Sequence, residues 1–269
     1  MRVSEQRVAS LFEEIRRADS AGTIEQFGSL AAANQYRRLY ELTERYVPAG
    51  AHVLDWGCGR GHFSYFLLTR GFRVTAYSLE HEPEIFAALS GRDRARLSFV
   101  RGAPGEASTL PFADCQFDAV FSVGVLEHVR EQGGDELSSL VEIRRVVSGE
   151  GVFVCYHLPN RYSYIEAASR RLSKPGGAER HEFHEHRFTS QDIRQLCAKA
   201  GFTVVDVGRY GFLPRNSCNR LPAGLRESGL LAAAVNRGDA VLERLFRPVV
   251  QNFYFVARPG RDRESRTDP

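Results

Sequence analysis

Three groups of residues in this sequence have the types and spacing to do chemistry. The first is VLDWGCGRGHFS, Val53 to Ser64, an apolar run that ends in the pattern D-x-G-x-G-x-G at Asp55, Gly57, Gly59 and Gly61. Glycines at that spacing let the backbone take left-handed angles and let a ligand come close to the main chain, which is what a nucleotide-bearing cofactor needs. The second is VLEHV, where Glu127 and His128 stand side by side, with HLPNRY further on supplying His157, Asn160, Arg161 and Tyr162. The third is RHEFHEHRF, Arg180 to Phe188, in which His181, His184 and His186 alternate with Glu182 and Glu185. A histidine titrates near neutrality, so any of these could take a proton from an acceptor group.

The glycine turn discriminates between cofactors. Aligned on a dinucleotide fingerprint, Gly57 and Gly59 place His62 where that fingerprint needs Gly or Ala. Asp55 would lie beside a pyrophosphate and repel it, whereas S-adenosylmethionine (SAM) has no phosphate and carries a sulfonium and an ammonium that a carboxylate favours. The turn therefore reads as a SAM turn, with Cys58 among the residues at the ligand.

These residues need a scaffold. From about residue 50 short apolar runs alternate with helical patterns, the signature of βαβ units and a mostly parallel sheet. Strands are predicted at His52 to Trp56, Arg73 to Ser78, Leu97 to Arg101, Asp118 to Val123, Val152 to His157, Thr203 to Tyr210 and Val249 to Ala257. Helices are predicted at Gly61 to Thr69, Glu82 to Leu89, Glu136 to Val146 and Ser190 to Ala200, the last two stopped by Gly149 and Gly201. Residues 1–50 read as an N-terminal helical cap with its clearer helix at Asn34 to Tyr46. Residues 51–257 form the cofactor-binding domain, 158–188 and 212–248 are helical insertions covering the acceptor, and 258–269 is a disordered tail. Connections at the carboxyl ends of strands are where such sheets place ligand contacts.

With the turn, LPFADCQFDAVFSVGVLEHV (Leu110 to Val129) and EIRRVVSGEGVFVCYHLPN (Glu142 to Asn160), the sequence resembles the class I SAM-dependent methyltransferases over roughly residues 34–210. It is most similar to the ubiquinone- and menaquinone-biosynthesis type and to other small-molecule methyltransferases. The resemblance implies an α/β Rossmann-like fold, a mostly parallel seven-stranded sheet with helices on both faces and an antiparallel last strand. It also implies methyl transfer to a small-molecule acceptor, with a hydroxyl oxygen ahead of nitrogen or carbon, the alternative being a SAM-fold accessory protein without activity. It assigns Asp55, Gly57 and Gly59 to the methionyl part of SAM, and main-chain groups of Val123 and Gly124 to the cofactor. Two positions depart from the pattern. Ser78, followed by Leu79, stands where an acid normally holds the ribose, with Glu80 as its replacement. Ala103 stands where an acid normally meets the adenine, with Glu106 the nearest substitute. Gly124 also stands where relatives place a metal-supporting acid, so no metal is expected.

The remaining residues have two readings each. Glu127 and His128 either act in catalysis or orient their loop. His157, Asn160, Arg161 and Tyr162 either touch the acceptor or build a turn. His184 and His186 share one side of an extended segment and suit an active-site lid, with zinc binding as the competing reading. Tyr36 and Arg38 lie on one helix, where the arginine could pair with the methionyl carboxylate, or where the face is merely solvated.

Composition sets the outer limits. At 43% hydrophobic and 26% charged residues with a net charge of +3, the chain is an ordinary globular protein without a basic face for nucleic acid. Its five cysteines form no C-x-x-C pair and read as free thiols of a reducing compartment. No uninterrupted apolar segment suggests a signal or transmembrane helix, so a cytoplasmic protein is expected, with a homodimer as one assembly open to it.

Overall fold

The computed structural model describes residues 4–19, 21–103, 109–172 and 186–260. Glu106, His181 and His184 lie outside the described residues, as does most of the C-terminal tail.

The strands are β1 (His52–Trp56), β2 (Arg73–Ser78), β3 (Leu97–Arg101), β4 (Phe117–Val123), β5 (Val147–Pro159), β6 (Phe202–Tyr210) and β7 (Asn252–Pro259). They form one seven-stranded sheet in the order β3-β2-β1-β4-β5-β7-β6. β7 alone runs antiparallel to both neighbours, and the other strands point the same way. This is the architecture that the resemblance implies. The order reverses between β1 and β4, and a crevice at the carboxyl ends beside such a reversal is where open α/β sheets bind ligands.

The helices are α1 (Glu5–Ala18), α2 (Leu30–Ala33), α3 (Arg37–Tyr46), α4 (His62–Thr69), α5 (Gly91–Arg94), α6 (Glu136–Val146), α7 (Tyr164–Leu172), α8 (Ser190–Lys199), α9 (Ala223–Arg226) and α10 (Gly229–Leu245). Their starts are chemically marked. Asp135 caps α6 by accepting from the Ser138 N–H at 2.9 Å. A reciprocal Thr189–Asp192 capping box opens α8.

Strand alternation sends side chains to two cores. On one face Val53, Phe121, Val154 and Tyr156 pack with Phe12, Ile15, Leu39, Tyr40 and Phe63. On the other, Leu54, Val120 and Phe153 pack with Leu140, Ile143, Ile193 and Phe202. The segment 1–50, expected as a cap, thus supplies one wall of the core through α1 and α3.

Several boundaries differ from the sequence reading. Glu82 to Leu89 is not an α-helix: Glu84–Ala88 is a 3₁₀ turn. The run predicted as Asn34 to Tyr46 begins with a 3₁₀ turn at Asn34–Tyr36 before α3. β5 extends on both sides of the predicted Val152 to His157, and β7 starts at Asn252 rather than Val249.

One irregularity places a functional candidate. Along β5 and β7 the pairs run Tyr156 with Tyr254 and then Leu158 with Phe253, so His157 is an extra residue of β5 at a register shift. Its φ of 71° is left-handed, which is uncommon for a residue with a Cβ. Such a bulge re-aims a side chain out of the strand's alternation, and bulges concentrate next to active sites.

Candidate functional site

The glycine turn joins β1 to α4. The N–H groups of Gly57 and Cys58 both donate to the Tyr77 carbonyl, at 2.9 Å each, which fixes the turn against the end of β2. Gly57 has φ 75° and Gly59 φ 50°, backbone states that a side chain resists. A Cβ at Gly57 would overlap the Val125 side chain, whereas a Cβ at Gly59 would have no atom within 4 Å. The open space at Gly59 belongs to a cleft of about 400 Å³ lined by Trp56, Gly57, Gly59, Ser78, Leu79, Glu80, Gly124, Val125 and His128. The predicted cofactor residues at Gly57, Gly59, Ser78, Leu79, Glu80 and Gly124 therefore meet in one place.

Their individual groups are arranged in ways the sequence does not show. Ser78 is buried, and its hydroxyl accepts from the Glu80 N–H at 3.1 Å, so it shapes the loop that leaves the Glu80 carboxylate exposed at the cleft. The Gly124 N–H is spent on the Tyr156 carbonyl at 3.0 Å and is not available to a ligand. Val123 is half-buried at the end of β4 and is not among the residues lining the cleft. The Cys58 thiol is buried, which pushes its pKa up and keeps it protonated.

Asp55 is 1% exposed and accepts the Ser64 hydroxyl at 2.6 Å, so it braces the start of α4 from beneath instead of lining the cleft. Burial raises its pKa from 3.8 to about 6, against hydrogen bonds from Ser64 that pull it down. A carboxyl whose folded pKa is raised adds stability below its unfolded value, and that stability is lost as pH rises through the folded value. Asp55→Asn, which stays neutral, is therefore expected to gain on wild type by up to about 3 kcal/mol between pH 4 and pH 7. Urea unfolding at both pH values measures this, and a wild-type-to-variant difference independent of pH would contradict it. His62, lowered to about 4 by burial, has the opposite trend but is common to both proteins and cancels.

Beside the turn, residues distant in sequence make a second cluster. Tyr36 is buried edge-on against His62, the first residue of α4, with ring centroids 4.7 Å apart, and against His157 at 5.1 Å. The Tyr210 hydroxyl lies 2.8 Å from His157 Nδ1 and accepts the His157 backbone N–H at 2.9 Å. The Tyr210 ring stacks on that of Tyr156, with centroids 4.4 Å apart, and the Tyr156 hydroxyl donates to the Gln35 carbonyl at 2.7 Å. Tyr210 thus holds His157 through both its backbone N–H and Nδ1, which makes Nε2 the candidate nitrogen for proton transfer. Tyr156 and Tyr210 gave no signal in the sequence because both read only as strand residues.

Tyr156 and Tyr210 also wall a cavity of about 350 Å³ between α3 and α10, shared with Arg37, Arg38, Asp239 and Glu243. Arg215 is held at its edge by Asp239 through hydrogen bonds of 2.9 and 2.7 Å. Arg38 lies in this cavity, 5.5 Å from the centroid of the Tyr254 ring, and not in the cleft at the glycine turn. Tyr36, packed between His62 and His157, and Arg38 thus serve different places.

Other candidates separate from the cluster. Asn160 is fully buried, and its amide donates to the Pro248 and Val250 carbonyls at 2.9 and 2.7 Å while its oxygen accepts from the Tyr162 N–H at 3.2 Å. It ties the end of β5 to the segment before β7, which is the turn reading. Tyr162 is exposed, and Arg161 lines a third cleft with His186, Arg130 and Glu136. His186 stands edge-on to Phe188 there, with centroids 5.8 Å apart, and that cleft shares no residue with the one at the glycine turn. His128 does line the glycine-turn cleft, but its Nδ1 is 2.9 Å from Glu131 and its ring is open to solvent. Glu127 is buried, and after burial itself its charge is the next cause that raises the Cys155 thiol pKa. Among the described residues no group of three or more His, Cys, Asp or Glu could hold a metal ion.

Comparison with known proteins agrees with this geometry. A family model described as a methyltransferase domain matches residues 54–155, from β1 to the middle of β5. An O-methyltransferase of Penicillium expansum is 25% identical over 214 residues, covering 76% of this chain and 72% of its own. A ubiquinone biosynthesis O-methyltransferase of Pseudomonas fluorescens is 27% identical over 190 residues, covering 69% and 79%. The crystal structure of the Burkholderia thailandensis 1,6-didemethyltoxoflavin-N1-methyltransferase, with S-adenosylhomocysteine bound, aligns over 96% of this chain and 92% of its own, with a TM-score of 0.52 and 21% identity. Sheet order, glycine turn and these relatives converge on a SAM-dependent methyltransferase with the class I fold, the methyltransferase-domain match itself spanning residues 54–155.

Proposed function

We propose that the chain methylates a hydroxyl oxygen of a small-molecule acceptor, with His157 as the base. The observation that carries this reading is the Tyr210 hydroxyl held against both the backbone N–H and Nδ1 of His157, at 2.9 and 2.8 Å, which fixes the ring and turns Nε2 to the reaction. The names of the Penicillium and Pseudomonas relatives, both O-methyltransferases, support oxygen over nitrogen.

The cleft fits SAM: Gly59 leaves open space above the turn, Trp56, Leu79 and Val125 offer an apolar bed, and Glu80 presents a carboxylate to hydroxyl groups. Gly57, Gly59, Leu79, Glu80 and Gly124 are the residues assigned to hold it. Bound there, SAM supplies an electrophilic methyl group. The acceptor is assigned to the cavity between α3 and α10, whose Tyr156 and Tyr210 walls pack against His157, although His157 itself lines neither this cavity nor the glycine-turn cleft. His157 Nε2 takes the acceptor's hydroxyl proton, and the Nδ1–H bond to Tyr210 steadies the resulting imidazolium. Tyr36, between His62 and His157, closes the space around the base to water.

The test is turnover with SAM on a panel of phenols, hydroxy acids and amines, read by mass spectrometry and release of S-adenosylhomocysteine. Methylated products confined to hydroxyl acceptors support the reading, and turnover of amines alone overturns it. SAM binding without turnover on any acceptor would favour an accessory protein. Glu80→Ala is expected to weaken SAM binding by about 1 to 3 kcal/mol, the cost of losing a charged hydrogen-bond acceptor. Isothermal titration reads it directly, and an unchanged dissociation constant would remove Glu80 from the cofactor site.

A further inference from the structure

We propose that the outer face of α10 docks the protein on an anionic lipid surface. Leu230, Val241 and Leu245 are 88%, 58% and 68% exposed, and Phe246 just beyond the helix is 47% exposed. With Ala234 and Arg237, also exposed, positions 230, 234, 237, 241 and 245 follow the three-and-four spacing of one helix face. Large apolar side chains this exposed are concentrated here, since α10 and its flanks supply most of them among the described residues.

Charge selects the occupant. The three acids between residues 225 and 247 are all engaged: Glu227 pairs with Arg16, Asp239 with Arg215, and Glu243 accepts the Gly211 N–H at 2.6 Å. Arg237, Arg244 and Arg247 are exposed and have no ion pair among the described residues. The face is therefore apolar with a purely cationic rim. A second copy would bring the same arginines against one another, whereas anionic headgroups meet them and the acyl boundary takes the leucines. No described helix is long and apolar enough to cross a membrane, so the contact is with its surface. The inward face of α10, with Asn236, Asp239 and Glu243, lines the cavity described above. Docking would seat that cavity about one helix diameter, roughly 10 Å, from the lipid. The docking itself stands on α10 alone and does not depend on the acceptor reading.

The experiment is flotation of the full chain with vesicles of phosphatidylcholine alone and of phosphatidylcholine with phosphatidylglycerol. Binding is expected only to the anionic vesicles, falling about tenfold or more in high salt as the arginine attraction is screened. Leu230→Glu and Leu245→Glu are each expected to lower it about tenfold or more with the melting curve and SAM titration unchanged. Arg237→Glu combined with Arg244→Glu should remove the preference for anionic lipid. Failure of folded wild type to float with anionic vesicles overturns the proposal. So does binding that survives Leu245→Glu, or a concentration-dependent dimer that Leu245→Glu dissociates without any vesicle binding.

Discussion

His157→Asn is expected to lower kcat by roughly 10² to 10⁴ while leaving the SAM dissociation constant within about twofold of wild type. Asparagine is the informative replacement, because His157 has φ 71° and asparagine tolerates the left-handed region better than alanine. The bulge in β5 is thus kept and the base removed. Tyr210→Phe tests the same idea from the other side. It deletes the hydroxyl that holds Nδ1, so the His157 ring loses its anchor and kcat should fall less than in His157→Asn. Steady-state kinetics of both variants, beside SAM titrations, provide the measurement. Wild-type turnover in His157→Asn would leave proximity alone to account for the rate.

Gly57→Val should abolish measurable SAM binding in a chain that still assembles its sheet. The structure supplies two separate reasons. A φ of 75° costs a β-branched residue on the order of 1 to 3 kcal/mol, and its Cβ would overlap the Val125 side chain at the edge of the cleft. The loop after β4 must then move, and with it Gly124 and the wall of the site. Gly59→Ala is the comparison, because its Cβ enters open space. That variant should fold with milder strain and lose affinity mainly by occupying room the ligand needs. Isothermal titration with circular dichroism separates the cases, and a folded Gly57→Val protein with wild-type affinity would remove the turn from the binding site.

How far the sequence reaches depends on where each interaction lies along the chain. β1, β2 and β3 carry the boundaries that the apolar runs predict, His52–Trp56, Arg73–Ser78 and Leu97–Arg101. Buried parallel strands read as short, dense apolar runs between turn signals. α6 matches its predicted span, because its Asp135 cap is written locally. The stretch Glu82 to Leu89 misled because a helical pattern of apolar residues does not distinguish a 3₁₀ turn, with Pro83 preceding it, from a full helix.

The glycine turn is legible for the same reason: the residues that shape it lie within Asp55 to Ser64, and only glycine relieves the backbone there. Even so, the sequence reading that aimed the Asp55 carboxylate at the ligand is altered by tertiary structure, which spends it on Ser64. Among the histidines, local context favoured His128 and the alternating run around His186, since both carry acidic neighbours. Folding sends His186 to a separate cleft and leaves His128 paired with Glu131 at the surface.

What the sequence determined by itself is the fold class, the cofactor and the place of the turn, each encoded by periodicity or by residues within a few positions of one another. What only the tertiary structure decided is the setting of His157, the residue proposed as the base. It acquires its orientation from an extra residue in the pairing of β5 with β7, and its Nδ1 contact from Tyr210, 53 positions away. Neither register nor such a contact has a local signature, because both arise when distant strands are fixed side by side.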